Sequence, residues 1–189
     1  LKLFDLCVIP KHDDVKSVGN VFITNTSLVN FNLNMKKKEN MALFLIGGPS
    51  KHFYWDSKIV LDQIKNISKK FKFKKLLITT SRRTPIDFIN EFNKLKIKNI
   101  KLYEHTKIIN DWLDKNIIKV KNIWVTNDSY SMLIEAIASG AYTDILELKT
   151  KQGSSLSREI NAIKKRIRNN ITIQNEAERV SKFIQKIWF

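Results

Sequence analysis

Met41-Ala42-Leu43-Phe44-Leu45-Ile46-Gly47-Gly48-Pro49-Ser50 decides the class of fold. The apolar residues Met41–Ile46 follow one another without the alternation of a half-exposed strand, and read as a strand covered on both faces. The Gly-Gly-Pro-Ser behind it marks a sharp exit from the strand. Glycines at Gly47 and Gly48 let backbone N–H groups approach a ligand closely, and Ser50 adds a hydroxyl donor, which suits a phosphate. A plain turn stays open as the other reading of this loop. It matches neither the dinucleotide fingerprint nor the P-loop pattern.

Downstream, strand-like runs alternate with helix-period segments, the signature of an α/β chain. Ser57–Phe71 carries Ile59, Val60, Ile64, Ile67 and Phe71 at helical spacing. Leu76–Thr80 reads as a strand, and Pro85–Leu95 as a helix with Thr84 as its N-cap. Strands are expected at Ile100–Tyr103, Ile123–Thr126 and Thr143–Leu148, with helices at Lys107–Ile118 and Ser129–Ser139, the latter closed by Gly140. Helices over Ser155–Arg168 and Asn175–Trp188 finish the chain. The expected fold is a Rossmann-like parallel sheet with helices on both faces. Upstream, Leu3–Ile9 and Val21–Thr24 supply two more strands, too few for an independent sheet. Asn30–Asn40, with Lys36-Lys37-Lys38, reads as a linker. The expected division is therefore residues 1–34, the tail of a preceding domain in a chain that starts at Leu1, and residues 35–189, the main domain.

The 189 residues carry 34 Lys and Arg against 18 Asp and Glu, a formal net charge of +16. That excess alone suggests nucleic acid, an anionic membrane surface or a phosphorylated ligand. Most of it is lysine, accompanied by abundant Asn and Ile, a composition that AT-rich codon usage produces unaided. Arginine, whose planar fork reads bases, occurs only at Arg82, Arg83, Arg158, Arg166, Arg168 and Arg179. Specific nucleic-acid recognition is not expected, and peripheral contact with an anionic membrane stays open. No apolar run approaches the roughly 18 residues that span a bilayer, and Lys2 and Asp5 break any signal-peptide pattern at the start. The single Cys7, within Leu6-Cys7-Val8-Ile9, reads as a small buried hydrophobe of a reducing, cytoplasmic protein.

In parallel α/β sheets ligands bind beyond the carboxyl ends of the strands, so the strand-to-helix loops are where chemistry is sought. Besides Gly47-Gly48-Pro49-Ser50, Thr80-Ser81-Arg82-Arg83-Thr84-Pro85 joins hydroxyls and two guanidinium groups to a helix start, a setting for an anion. Thr126-Asn127-Asp128-Ser129-Tyr130-Ser131 opens another helix. There Asp128 and Ser129 read as caps, and Glu135, about two turns in, either pairs locally or reaches a sugar hydroxyl. His12 beside Asp13 invites an acid/base or metal reading. Sequence neighbours usually point apart, however, and His12, His52 and His105 share no metal-ligand spacing. No metal and no cofactor are expected.

Cys7-Val8-Ile9-Pro10-Lys11-His12-Asp13, Asn20-Val21-Phe22-Ile23-Thr24, Leu45-Ile46-Gly47-Gly48-Pro49-Ser50, Thr80-Ser81-Arg82-Arg83-Thr84-Pro85 and Thr126-Asn127-Asp128-Ser129-Tyr130-Ser131-Met132-Leu133-Ile134-Glu135-Ala136 occur in this order. Together they resemble the mitochondrial-fission ELM-type family, bacterial and plant proteins discussed as glycosyltransferases of the GT-B fold. The plant members are also discussed as organelle-division factors. The resemblance implies a nucleotide-diphosphate-sugar donor held in the C-terminal domain and an acceptor domain that is nearly all missing here. It implies that Gly47, Gly48, Ser50, Ser81, Arg82 and Arg83 face the phosphates, with Ser129 and Ser131 at a helix start beside them. Asp128 belongs to that set, Glu135 would hold the ribose hydroxyls, and His12 and Asp13 would line the cleft. It further implies metal-independent sugar transfer to an envelope lipid or saccharide, in the cytoplasm or at the inner membrane surface. The alternative is a non-catalytic protein of the same fold that recruits a partner or an anionic membrane. One departure is plain: where family members carry a Gly-Lys-Pro turn, this chain reads Gly140-Ala141-Tyr142.

Overall fold

The computed structural model of the chain describes residues 3–13, 15–16, 19–25, 28–29, 38–95, 97, 99–108, 111–168 and 176–189. Two short strands lead, β1 (Cys7–Pro10) and β2 (Val21–Thr24), with a single 3-10 turn, Lys11–Asp13, after β1. The main body follows as β3 (Lys38–Ile46), α1 (Ser57–Lys70), β4 (Lys75–Thr80), α2 (Ile86–Lys94), β5 (Ile100–Tyr103), α3 (Trp112–Ile117), β6 (Val120–Thr126), α4 (Tyr130–Ala138) and β7 (Tyr142–Leu146). Helices α5 (Ser155–Arg168) and α6 (Glu176–Trp188) close the chain.

Strands β3 to β7 form one parallel sheet in the order β5-β4-β3-β6-β7, flanked by helices, a Rossmann-like α/β arrangement. The unbroken apolar run has the expected cause. Ala42 through Ile46 are fully buried, because β3 is the central strand, paired with β4 on one side and β6 on the other. Phe44 lies opposite Trp124 in register, and their rings stack with centroids 5.3 Å apart. Phe71 and Phe73, at the exit of α1, pack against the same indole. Helix α1 buries Val60, Leu61 and Ile64. Asp56 caps it by accepting from the Lys58 and Ile59 N–H groups, and Lys69 and Lys70 sit in its last turn, where the helix dipole favours cations. Helix α4 ends as expected, with Gly140 in the left-handed region at φ 69°.

The order of strands fixes where a site can form. From β3 the chain winds outward through β4 to β5, then returns across the sheet to β6 on the other flank of β3. The switch point therefore lies between the carboxyl ends of β3 and β6, the crevice where ligands of such sheets bind.

The leading strands form a separate two-stranded parallel sheet, with Cys7 opposite Val21 and Pro10 opposite Thr24. The expected strand from Leu3 begins only at Cys7, since its partner β2 offers four residues. Helix α6 docks on this pair. Phe183 meets Phe22 with centroids 4.4 Å apart, and Arg179 lies over the Phe22 ring while donating to the Ile23 carbonyl at 2.6 Å. The linker reading needs correction at one end, because Lys38–Asn40 already belong to β3. Residues 30–37, and with them the expected boundary at 34/35, lie outside the described residues. Likewise the helix expected from Lys107 starts at Trp112. Among the described residues no helix is long and apolar enough to cross a membrane.

Candidate functional site at the β3–β6 crevice

Three loops close on one carboxylate. Asp128, just past β6, has a side chain with no exposed surface. Its Oδ2 accepts the Gly48 N–H at 2.9 Å and lies 2.8 Å from Arg83 Nη1. The neighbouring Gly47 N–H donates to Thr126 Oγ1 at 2.8 Å. Arg83 also donates through Nη1 to the carbonyls of Gly48 and Pro49 at 3.1 and 3.2 Å. Gly47, Gly48, Arg83 and Asp128, each expected at a phosphate site, are thus brought together, but Asp128 bonds Gly48 and Arg83, and Gly47 bonds Thr126.

Both glycines are required here by close approach. A Cβ on Gly47 would stand 2.2 Å from Asp128 Oδ2, and one on Gly48 would stand 2.0 Å from the Arg83 carbonyl oxygen. Thr84 completes the clamp. It does not cap α2, whose N-cap is Pro85 with no side-chain cap bond. Its hydroxyl instead donates to the Ile46 and Gly47 carbonyls and accepts the Ser81 N–H at 2.9 Å. The cap reading fails at Asp128 for a similar reason. The N-cap of α4 is Ser129, which makes no side-chain cap bond, while Asp128 turns back to β3. Burial raises the Asp128 carboxyl above the ordinary aspartate range, and the Gly48 N–H, the Thr126 hydroxyl and Arg83 oppose that rise.

The remaining candidates divide. Ser50 accepts the His52 and Phe53 N–H groups and holds its own turn, and Ser81 accepts the Arg83 N–H. Arg82 and Ser131 are exposed and do not bond Asp128, and Ser129 is buried at the start of α4. Glu135 is partly buried in the second turn of α4. No hydrogen bond or ion pair engages its carboxylate among the described residues, and burial, then Asp114 of α3, push its carboxyl up. Asp13 is exposed in the 3-10 turn that also holds His12. Among the described residues no three His, Cys, Asp or Glu side chains gather as a metal would need.

Sequence patterns do not single out the cavity beside the crevice. A space of about 180 Å³ is lined by Lys11, Asn25, Tyr130, Glu159, Ala162, Ile163 and Arg166. It joins the leading segment to the first residue of α4 and to α5. Burial and Glu159 push the Tyr130 phenol up to about 12, with Arg166 opposing, and its hydroxyl donates to the Asn25 carbonyl at 3.4 Å. Lys11 and Tyr130 lie within quoted motifs, but Glu159 and Arg166 sit on a helix with no chemical signature. Only folding brings these residues to one cavity.

No curated protein matches the chain. A sequence model described as mitochondrial fission ELM1 matches residues 1–182, which takes in the leading strands, every loop of the crevice and most of α6. The chain belongs to the mitochondrial fission ELM1 family.

Proposed function

We propose that this chain binds a nucleotide-diphosphate sugar at the β3–β6 crevice and serves the transfer of that sugar to an envelope lipid or saccharide. The observation that carries the reading is the meeting of the Gly48 N–H and the Arg83 guanidinium at the switch point of a parallel sheet. An amide N–H and a planar cation directed at one oxygen are the donors that a diphosphate takes. Beside them, the start of α4 at Ser129 favours negative charge, with Ser131 on the same turn. Donors of this kind stabilise a leaving diphosphate without a metal ion. Ser50, Ser81 and Arg82 would rim the phosphates. Glu135, a carboxylate with no bonded partner among the described residues, would accept the ribose hydroxyls. The adjoining cavity of about 180 Å³ is below the roughly 300–1,000 Å³ of typical small-molecule sites. It suits a single ring or phosphate group, so base and ribose would lie outside it, toward α4. In this reading β1, β2 and the turn with His12 and Asp13 belong to the acceptor side of the cleft.

The test is a thermal-shift panel of UDP, GDP, ADP, CMP and their sugars on the protein and on Glu135→Ala. A ligand at about 100 times its Kd adds roughly 2.7 kcal/mol, which moves the midpoint of a protein this size by several degrees. A selective shift that disappears in the variant is expected. A folded protein unmoved by every nucleotide would reject the reading.

A second reading has its own observation. Leu3, Phe4, Trp188 and Phe189 are exposed around an open groove between residues 3–6 and 188–189, on a protein of net charge +16. A non-catalytic protein that docks on an anionic membrane would use such a surface.

A further inference from the structure

Asp128 occupies the donors that the nucleotide-binding reading gives to a phosphate. Its carboxylate lies flush against the bare Cα of Gly47, so close that a Cβ there would come within 2.2 Å of Oδ2 and 2.4 Å of Oδ1. It takes the Gly48 N–H and one Nη1 of Arg83, the donors that the crevice directs at its own centre. Yet the fit is incomplete. The Thr126 hydroxyl lies near enough to hold the carboxyl down, but it receives the Gly47 N–H, and the buried Oδ1 has no partner at hydrogen-bond geometry among the described residues. A carboxylate kept only as a strut between loops is expected to have both oxygens satisfied, because buried acceptors are costly to leave unpaired. A diphosphate, with more oxygens and more charge, would use the same donors more fully. Arg83 is already suited to the exchange, since its side chain is 42% exposed and reachable from solvent while that of Asp128 is not.

Resting on the nucleotide-binding reading above, we propose that Asp128 is a resident anion that keeps the diphosphate subsite filled and is displaced by the ligand. The incoming diphosphate takes over the Gly48 N–H and the Arg83 guanidinium, and the Asp128 side chain turns out of the crevice. Two anions cannot share these donors in a buried place without strong repulsion. Asp128 therefore lowers affinity for the diphosphate and discriminates against anions too weak to displace it.

The experiment uses inorganic pyrophosphate, which probes the subsite without base or sugar. Asp128→Asn keeps an oxygen for the Gly48 N–H and removes the charge. Calorimetry at fixed ionic strength is expected to show pyrophosphate binding at least tenfold tighter to Asp128→Asn than to the wild-type chain. That gain should be lost in Asp128→Asn/Arg83→Ala. Equal or weaker binding by a folded Asp128→Asn overturns the proposal, and so does pyrophosphate binding to neither protein. Where the variant does not fold, carbon NMR of the wild-type carboxyl decides: the Asp128 Cγ resonance should move on saturation with pyrophosphate, and a stationary one overturns the proposal. The nucleotide panel separates the two readings. Tighter pyrophosphate binding by the variant, with no response to any nucleotide, keeps the displaced carboxylate and rejects the nucleotide donor. A nucleotide response without the pyrophosphate gain does the reverse.

Discussion

Glu135 sets a test of function against stability in one side chain. Its carboxyl is raised above the ordinary glutamate range by burial first and by Asp114 second. An acid whose folded value exceeds its unfolded one holds its proton longer in the native state. The stability it contributes is complete below the unfolded value and is lost as pH rises through the folded one. Glu135→Gln removes that dependence. At pH 7 the variant should melt above the wild type, by about 2–4 °C for each kcal/mol released in a chain of this size. Near pH 4 the two should converge. A wild type that is the more stable at pH 7 would show that the carboxylate has a bonded role in the free protein. A stabilising substitution that abolishes nucleotide binding would identify a residue kept for its ligand.

At the scale of elements, the docking of α6 holds the leading strands β1 and β2. Glu176 is buried at 3% exposure, and Arg179 pairs with it at 2.7 Å while also reaching the Ile23 carbonyl. Asn25 donates to the same carboxylate at 3.0 Å, and its backbone carbonyl receives the Tyr130 hydroxyl. Removing one partner of a fully buried pair typically costs roughly 3–5 kcal/mol. Arg179→Ala should cost less than that, because Arg179 is partly exposed and Asn25 stays on the carboxylate. The loss is expected to be local: amides of β2 and α6 should exchange faster with solvent hydrogen while those of β3 and β6 keep their protection. Equal loss across both sheets would mean that the leading strands and the main sheet unfold as one unit.

For the whole molecule, the net charge of +16 predicts attraction to any anionic surface at low salt, fading over a Debye length that shrinks to about 8 Å at physiological ionic strength. Co-sedimentation with phosphatidylserine vesicles should therefore fall steeply as salt rises. Binding that persists at physiological salt and is lost when Trp188 and Phe189 are replaced by serine would support the membrane-docking reading. Much of the architecture was legible in the chain. Met41–Ile46 declared a doubly covered strand because every position along it must be apolar when both faces are buried, and the alternation after it declared the parallel sheet. The loops of the crevice were legible as places, since ligands in such sheets lie beyond the carboxyl ends of strands. Their partners were not. Thr84 and Asp128 both carry the signature of helix caps, and local sequence cannot show that a carbonyl of β3 or the amide of Gly48 competes for them and wins. The cavity between Lys11, Tyr130 and Arg166 was equally hidden, for it joins positions far apart in the chain. Hydrophobic period and chain stiffness act over a few residues, so the residues alone mark out most strands and helices and the class of fold. Which groups face Asp128 depends on the order of strands in the sheet, and contacts across the crevice carry no local period that a reading along the chain could detect.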